Sequence, residues 1–353
     1  MGKKVSMQQI ADYLGVSKFV VSKALSGKGG VSDQTKERVI QAASQLGYFA
    51  QSNTIQKPAE TTIAVTRPRT RQKKIVIVLM PNIRFQTRES TYWGKIVNGI
   101  SAKLEEDGLG ILIVSEHSVD HFMDILNPKG IMGLIGVGVI SSSLLLEVHR
   151  MGIPMVLVDH EDALIPTDTV FVNNTDCMYR LTRHMIGLGH RELQFVGSNQ
   201  FSRSFKDRWI GFRSAVEEEL GPSAVDGSKL LSVDGLTGPD AESEILTWAE
   251  SMRLAGSLPT AWMCANDMIA IHVLRALETL GLAVPKDAAV TGFDNIEDAY
   301  RSRPPLTTVN VPKETLGRRA VERLLARIAK PSDPIDKLLI NGEVLYRDST
   351  STK

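Results

Sequence analysis

The stretch "VSMQQIADYLGVSKFVVSKALSG", residues 5–27, fixes how the start of the chain folds. Its polarity changes in pairs: Lys18 and Phe19, then Val20 and Val21, then Ser22 and Lys23, then Ala24 and Leu25. Wound as an α-helix, this order puts Lys18, Phe19, Ser22 and Lys23 on one face and the apolar set on the other. Upstream, Ser6 followed by Gln9 is a capping box that opens a first helix through Ile10, Ala11 and Leu14. Gly15 ends that helix in a tight turn, and Ser17 caps the second. A third helix is expected after Ser32, with Val39, Ala42, Ala43 and Leu46 inward and Gly47 as its stop. Helix, short turn with glycine, helix is the helix-turn-helix pattern, whose second helix enters the major groove. The outward set suits that task. Lysine donates to guanine O6 and N7, serine serves a base or a phosphate, and an aromatic ring meets a thymine methyl. The bland alternative is a Phe19 packed inward beside merely solvated lysines.

The whole chain has 353 residues, a formal charge of +1, 42% hydrophobic and 23% charged residues, which suits a soluble protein of two or three domains. Its neutrality hides an asymmetry. Residues 1–74 hold 13 Lys and Arg against 4 Asp and Glu, while residues 75–353 hold 28 against 36. A basic head on an acidic body points to a polyanion as the partner of the head. No run is long and apolar enough to cross a bilayer, and "MGKKVSMQQI" lacks the apolar core of a signal peptide. Cys177 and Cys264 lie far apart without zinc spacing and read as buried free thiols in a reducing cytoplasm.

The segments "VSMQQIADYLGVSKFVVSKALSG" and "VSDQTKERVIQAASQLGY" resemble the head of the LacI/GalR family of bacterial repressors. The shared pattern is an Ile-Ala pair, Gly-Val-Ser, a Val-Ser-Lys, and Val-Ser-x-x-Thr-Lys running on to Leu-Gly-Tyr. The resemblance implies that Lys18, Phe19 and Lys23 read bases, while Ser6, Ser17, Ser22, Ser32, Thr35 and Tyr48 hold phosphates. The hinge departs from the family. Where relatives carry a helix whose leucine wedges into the minor groove, this chain has "FAQSNTIQKPAE", with Lys57 at the wedge position and Ile55 as the substitute. Ser52, Asn53, Thr54 and Ile55 are weak helix formers and Pro58 stops a helix. Beyond it, Arg67, Arg69, Arg71, Lys73 and Lys74 form a basic linker that either adds phosphate contacts or only spaces the domains.

From residue 75 short apolar strands alternate with amphipathic helices. "KIVIVLMP", "LGILIVS", "GLIGVGV" and "IPMVLVD" form one strand series, with helices over "YWGKIVNGISAKLEEDG" and "SSLLLEVHRMG". A second runs from "DCMYRLTRHMIGLGH" through "RELQFVGS" and "AWMCAND" to "AAVTGFDN". Such alternation indicates two doubly wound, parallel-sheet α/β subdomains with a ligand cleft at the carboxyl ends of their strands. The resemblance continues through "GLGHRELQFVG", "DRWIGFRSAV", "CANDMIAIHVLRAL", "VPKDAAVTGFDN" and "PPLTTVNVPKETLG". It implies a type I periplasmic-binding-protein-like core, crossing between subdomains near Asn173, Val309 and Pro331. The expected organisation is a headpiece over 1–50, a hinge and linker over 51–74, and a core over 75–353. Subdomain 1 takes about 75–173 and 310–330, and subdomain 2 about 174–309 and 331–353.

By the same resemblance Arg208 grips ligand hydroxyls or a carboxylate, Asp294 accepts from hydroxyls, and Asn266 stands at the end of the preceding strand. Tyr92 and Trp93 occupy a ring-stacking position, and Asp159 and Ser204 complete the set. An arginine, acids, an amide and aromatic faces suit a polyol. The alternatives are a structural ion pair at the domain seam for Arg208 and Asp294, and plain core for the aromatic pair. At Gly235-Leu236 some relatives carry an aromatic lid.

Two features imitate other chemistry. "GLIGVGVIS" has Ser141 where a dinucleotide loop needs its third glycine. His117 and His121, with Glu116 and Asp120, have metal-like spacing but lack a third ligand. No G-x-S-x-G elbow or Walker loop occurs, so neither a cofactor nor an enzyme is expected. The expectation is a cytoplasmic, sequence-specific transcription regulator, a repressor of carbohydrate genes. It would bind double-stranded DNA at a palindromic operator and a carbohydrate effector. With no heptad tail after "YRDSTSTK", a homodimer is expected rather than a tetramer. One rival makes the body answer to a protein co-repressor, and a remote one is a sugar-metabolising enzyme with an incidental basic head.

Overall fold

The computed structural model describes residues 6–26, 32, 35, 38–39, 41–43, 74–81, 91–115, 122, 130–233 and 238–350. The chain divides into two units, residues 1–70 and 71–353. Among the described residues no helix is long and apolar enough to cross a membrane.

The first unit contains α1 (Met7–Leu14) and α2 (Lys18–Ser26). Thr35, Arg38, Val39 and residues 41–43 are helical as well. Ile10, Ala11, Val21, Ala24, Val39, Ala42 and Ala43 form one small core. The alternating pairs of the opening stretch thus become one buried and one outward helix face.

The second unit begins with β1 (Ile75–Leu79), α3 (Thr91–Glu106), β2 (Gly110–Val114), β3 (Ile131–Val137), α4 (Ser142–Arg150), β4 (Met155–Val158) and β5 (Asp168–Val172). The second half follows with α5 (Asn174–Gly187), β6 (Leu193–Val196), α6 (Arg203–Leu220), β7 (Leu230–Leu231), α7 (Gly238–Leu254), β8 (Ala261–Cys264), α8 (Asp267–Thr279), β9 (Ala289–Thr291) and α9 (Glu297–Arg301). Last come β10 (Thr308–Asn310), α10 (Lys313–Ala329), β11 (Lys337–Ile340) and β12 (Glu343–Leu345). Among the described residues the strands make two large sheets, ordered β11-β5-β4-β3-β1-β2 and β7-β6-β8-β9, and a two-stranded ribbon of β10 and β12. Every pairing within these two sheets is parallel. Runs such as Met155–Val158 and Ala261–Cys264 are buried throughout, as strands covered on both faces must be. Both expected subdomains are therefore present, with a reversal of strand order between β1 and β3 in the first sheet.

Each subdomain holds a helix pair in backbone contact. A Cβ on Gly317 of α10 would stand 2.1 Å from the Ile96 carbonyl oxygen of α3, and one on Gly99 of α3 equally close to that of Glu314. In the second subdomain a Cβ on Gly211 of α6 would come within 2.2 Å of the Thr175 carbonyl oxygen on α5.

The chain leaves the first sheet after β5, at Asn173, and returns through β10. The third crossing is not at Pro331. Residues 337–340 form β11 and pair with β5 in the first sheet, Lys337 opposite Thr169. The crossing follows at 341–342, after which β12 pairs antiparallel with β10. Only the residues beyond it reach the second subdomain, where Ser349 bonds to Val290 and Thr307. The cause of this correction is the buried Asp168. Its carboxylate takes two hydrogen bonds from Arg327 at 2.6 and 2.9 Å and one from the Asp336 backbone amide at 2.8 Å. Arg327 also donates to the carbonyls of Pro331 and Pro334, so the proline-rich turn after α10 is bent back toward the first sheet.

Gly317→Ala should lower stability despite a helix-propensity gain of about 1 kcal/mol, because α3 and α10 must separate to admit the methyl group. Urea unfolding of the full chain checks this, and an unchanged or raised midpoint contradicts it.

Candidate functional site

In the first unit the capping box forms as the sequence indicates. The Ser6 hydroxyl accepts from the Gln9 amide at 3.3 Å, and the Ser6 amide donates to the Gln9 side chain at 2.8 Å. Gly15, at φ 66°, closes the helix with its amide directed to Ala11 and Asp12 carbonyls. Ser17 accepts from the Val20 amide at 3.4 Å, and Ser32 from the Thr35 amide at 3.3 Å while its hydroxyl meets that of Thr35 at 2.8 Å. Val21 and Ala24 point into the core. Lys18 and Ser22 are exposed, Phe19 is 67% exposed, and Lys23 is half-buried with its ammonium 5.1 Å from the Phe19 ring centre. The aromatic ring is thus outward and carries a cation beside it. Tyr48, Ile55, Lys57 and the linker arginines lie outside the described residues, as do Gly235, Leu236, His117 and His121.

In the second unit the expected residues converge where the two subdomains meet. Arg208 projects from α6 and is 2% exposed. Its three nitrogens donate to Asn174 Oδ1 at 2.9 Å, to the Ala265 carbonyl at 2.6 Å and to Asp294 Oδ1 at 3.1 Å. Its guanidinium lies 3.7 Å from the ring centre of Phe293. Asp294 sits at φ 106° and Asn295 at φ 51°, both in the left-handed region, so the turn after β9 is backbone-strained. Strained turns of this kind collect at ligand clamps, where surrounding bonds over-determine them.

Lys313 supplies those bonds. It opens α10 just after the crossing strand, is 2% exposed, and donates to the carbonyls of Asp294, of Asn295 at 3.4 Å and of Val311 at 3.5 Å. Its ammonium also lies 5.5 Å from the ring centre of Tyr92 on α3. Burial holds its pKa below the usual lysine value, against the opposing pull of Asp294. One lysine on the first subdomain thus fixes the turn that aims a carboxylate of the second.

Across the seam, Asp159 follows β4 at φ 54° and accepts a hydrogen bond from Ser204 of α6. Burial pushes its carboxyl up to about 6, with Asp294 and Asp207 adding to the rise and Ser204 and Arg208 resisting it. Asp267, fully buried at the start of α8, is pushed by burial and by Asp294 up to about 7, although Thr308 donates to it at 2.6 Å and the Ile296 amide at 2.8 Å. Burial likewise raises the phenol of Tyr92, with Asp159 and Asp294 next in effect. Trp93 stands edge-on to Tyr92, ring centres 5.0 Å apart, and its ring covers Gly138.

Tyr92, Asp159, Ser204, Arg208 and Asp294 therefore form one electrostatically coupled group, with Trp93 beside it. Asn266 belongs to it differently: its side-chain oxygen caps α8 by accepting from the Ile269 amide at 2.9 Å. The bland reading of Arg208 and Asp294 is half right, since they do pair. Sequence reasoning missed Asn174, Asp267, Phe293 and Lys313. The signal for Lys313 was its place: a cation in the first turn of a helix opposes the helix dipole and calls for a local partner.

Residues 6–51 match the family described as "Bacterial regulatory proteins, lacI family", and residues 182–350 match the "Periplasmic binding protein-like domain". The HTH-type transcriptional regulator MalR of Streptomyces coelicolor is 28% identical over 357 residues, covering 98% of this chain and 96% of that protein. Among solved structures, the transcriptional regulator CelR–cellobiose complex aligns with a TM-score of 0.69 at 22% identity, covering 98% of this chain and 99% of that one. The lac repressor dimer bound to operator and the anti-inducer ONPF aligns at 0.66 and 22%, covering 99% and 100%.

Asp159 and Asp267 both keep their protons in the folded state at pH values where the unfolded chain, with ordinary aspartates, has lost them. At these two groups the native state then binds more protons, so their contribution to stability falls as pH rises from about 4 through 6 and 7. Burial lowers the pKa of His160, His184 and His190, which pull the other way in the same window. The aspartate contribution is therefore read on a variant: the thermal midpoint of Asp267→Asn relative to the unaltered protein should rise between about pH 5.5 and about pH 7.5. A relative midpoint that stays constant across that range contradicts the assignment.

Proposed function

The chain belongs to the lacI family of bacterial regulatory proteins, and we propose on that premise that it is a cytoplasmic repressor of carbohydrate genes whose grip on DNA answers to a sugar. It is a DNA-binding transcriptional regulator and not an enzyme. The observation that carries the effector reading is the Arg208 cluster, a buried guanidinium held beside Asp294 at a strained turn, with Asp159 and two aromatic rings across the seam. Carboxylates accept from paired hydroxyls, and ring faces take the C–H surface of a sugar. The CelR–cellobiose complex, to which the chain is similar, supports a carbohydrate as the ligand class.

For the head, the outward face of α2 reads bases through Lys18, Phe19 and Lys23. Ser6 and Ser17 accept capping bonds through their oxygens, which leaves each hydroxyl proton for a phosphate at a helix N-terminus, and Ser32, whose hydroxyl meets that of Thr35, holds a phosphate together with it. Ser22, Thr35 and Tyr48 add phosphate contacts, and Ile55 and Lys57 lie at the hinge position that meets the minor groove. A homodimer presents two such heads to a palindrome with half-sites about one helical turn apart. The lac repressor, similar in fold, is a dimer on its operator. Ligand closes the cleft between subdomains and changes operator affinity by binding the two conformations unequally.

Lys18→Ala should cost on the order of 1–3 kcal/mol at one base pair of each half-site and relax specificity there. Binding to a library of operator variants measures this, and uniform weakening across sequences makes Lys18 a phosphate contact instead. Arg208→Lys keeps the charge but loses the planar fork that reaches three acceptors at once. Operator release by effector should disappear while operator affinity is kept. A normal dose response in that variant removes Arg208 from the site.

A further inference from the structure

The effector cleft holds more acid than base. Its buried cations are Arg208 and Lys313, and the carboxylates coupled to them are Asp159, Asp267 and Asp294. Further out, Lys95 is exposed on α3, and Asp207 is paired with Arg203 at 2.8 Å.

Hydrogen-bond accounting sharpens the imbalance. An ammonium has three donors, and those of Lys313 face three backbone carbonyls. Each nitrogen of Arg208 already donates to a protein oxygen. Three of the five N–H groups of Arg208 are likewise engaged, so an anion entering the cleft finds only the two remaining guanidinium N–H groups to receive it, in a site lined by three carboxylates. The acceptors stand otherwise. Asp159 takes one hydrogen bond, from Ser204, and its second oxygen receives none from the described residues. Asp294 takes one, from Arg208, while its side chain keeps 15% of its surface open. Buried carboxylates that are short of donors favour a ligand that brings its own.

Building on the carbohydrate reading of this cleft, we propose that the effector carries no negative charge and is recognised by donating its own hydroxyl or ammonium protons to Asp159 and Asp294. Sugar phosphates and sugar acids are excluded by the same residues, since a phosphate or carboxylate would face at least two aspartates in a desolvated site and leave their acceptor positions unfilled. Discrimination against a wrong charge rests on this unfavourable element as much as on contacts to the right ligand. Asp159 decides the choice, because it is the one carboxylate of the three that receives neither a guanidinium nor a backbone amide hydrogen bond from the described residues.

The test is calorimetry of the full-length protein against matched sets of mono- and disaccharides: each uncharged parent, its amino derivative, its phosphate ester and its uronic or aldonic acid. At least one uncharged or aminated member should bind, with its phosphorylated and acidic counterparts weaker by about tenfold or more. Asp159→Asn, which keeps the side-chain shape, should weaken the parent and shrink the parent-to-phosphate ratio by several-fold. A phosphate or acid binding as tightly as its parent overturns the proposal, as does a ratio unchanged in Asp159→Asn. If no sugar of any class binds, the carbohydrate reading itself fails. That result differs from the first two, in which a sugar binds with the opposite charge preference.

Discussion

The fold of the second unit turns on one buried guanidinium. Arg208 leaves the middle of α6 and meets the amide that opens α5, the carbonyl that ends β8 and the carboxylate that follows β9. A buried cation of this kind is costly to desolvate, and its pairing repays the cost only when every donor is satisfied and the geometry is good. Here each of the three nitrogens has a protein acceptor at 2.6 to 3.1 Å, and the face of Phe293 adds cation–π attraction at 3.7 Å. Loss of one partner would leave an uncompensated charge, a penalty of about 3–5 kcal/mol. The seam of the second subdomain is therefore rigid where Arg208 sits, and a ligand meets preorganised groups there.

Rigidity on one side gives the seam its direction. Asp294 is held by Arg208 from its own subdomain and through its carbonyl by Lys313 from the other. Asp159 belongs to the first subdomain and is tied to Ser204 of the second. Glu161, two residues on, pairs with Arg203 of the second subdomain at 2.7 Å and with Lys337 of the first. These ties lie between the same two subdomains that a ligand would bridge, whereas the chain itself joins them at Asn173, at β10 and at 341–342, with β10 and β12 paired as a two-stranded ribbon. A ligand contacting Asp159 and Asp294 together acts on both sides of that ribbon. Such a contact has a different free energy in each arrangement of the subdomains, and that difference is the whole requirement for allosteric control.

Much of this was legible in the sequence, for physical reasons. The helix-turn-helix is local: a capping box, a left-handed glycine and paired polarity are settled within a few residues, and Phe19 is indeed outward. The strands of the core announced themselves as apolar runs because both faces are buried. β5 was missed because it opens on Asp168, an acid that breaks the apolar run. The last crossing was misplaced for the same reason. Pro331 and Pro334 look like a linker until Arg327 reaches Asp168, 159 positions away in sequence. Arg208 and Asp294 were found through family resemblance, but Lys313 and Asp267 were not, since a buried charge is permitted only by partners that no local pattern displays. Asn266 was located correctly, yet its oxygen serves the helix it begins.

The charge distribution adds a constraint on how such a regulator finds its site. Residues 1–74 have an excess of nine positive charges and the remainder an excess of eight negative ones, so the near-neutral total conceals two segments of opposite charge. Counterion release from DNA rewards only the phosphates that basic side chains neutralise, so the salt-dependent part of the affinity comes from the basic residues 1–74. The acidic core is repelled by the same field, which disfavours its own contacts with the duplex. At physiological ionic strength the screening length is about 8 Å, so this repulsion acts only in the last approach to the duplex. The cleft, with three carboxylates against two cations, shares the sign of the acidic core, and it is this local surplus that would turn anionic ligands away. One distribution of charge thus serves both recognition tasks, and it does so with opposite signs in the two units.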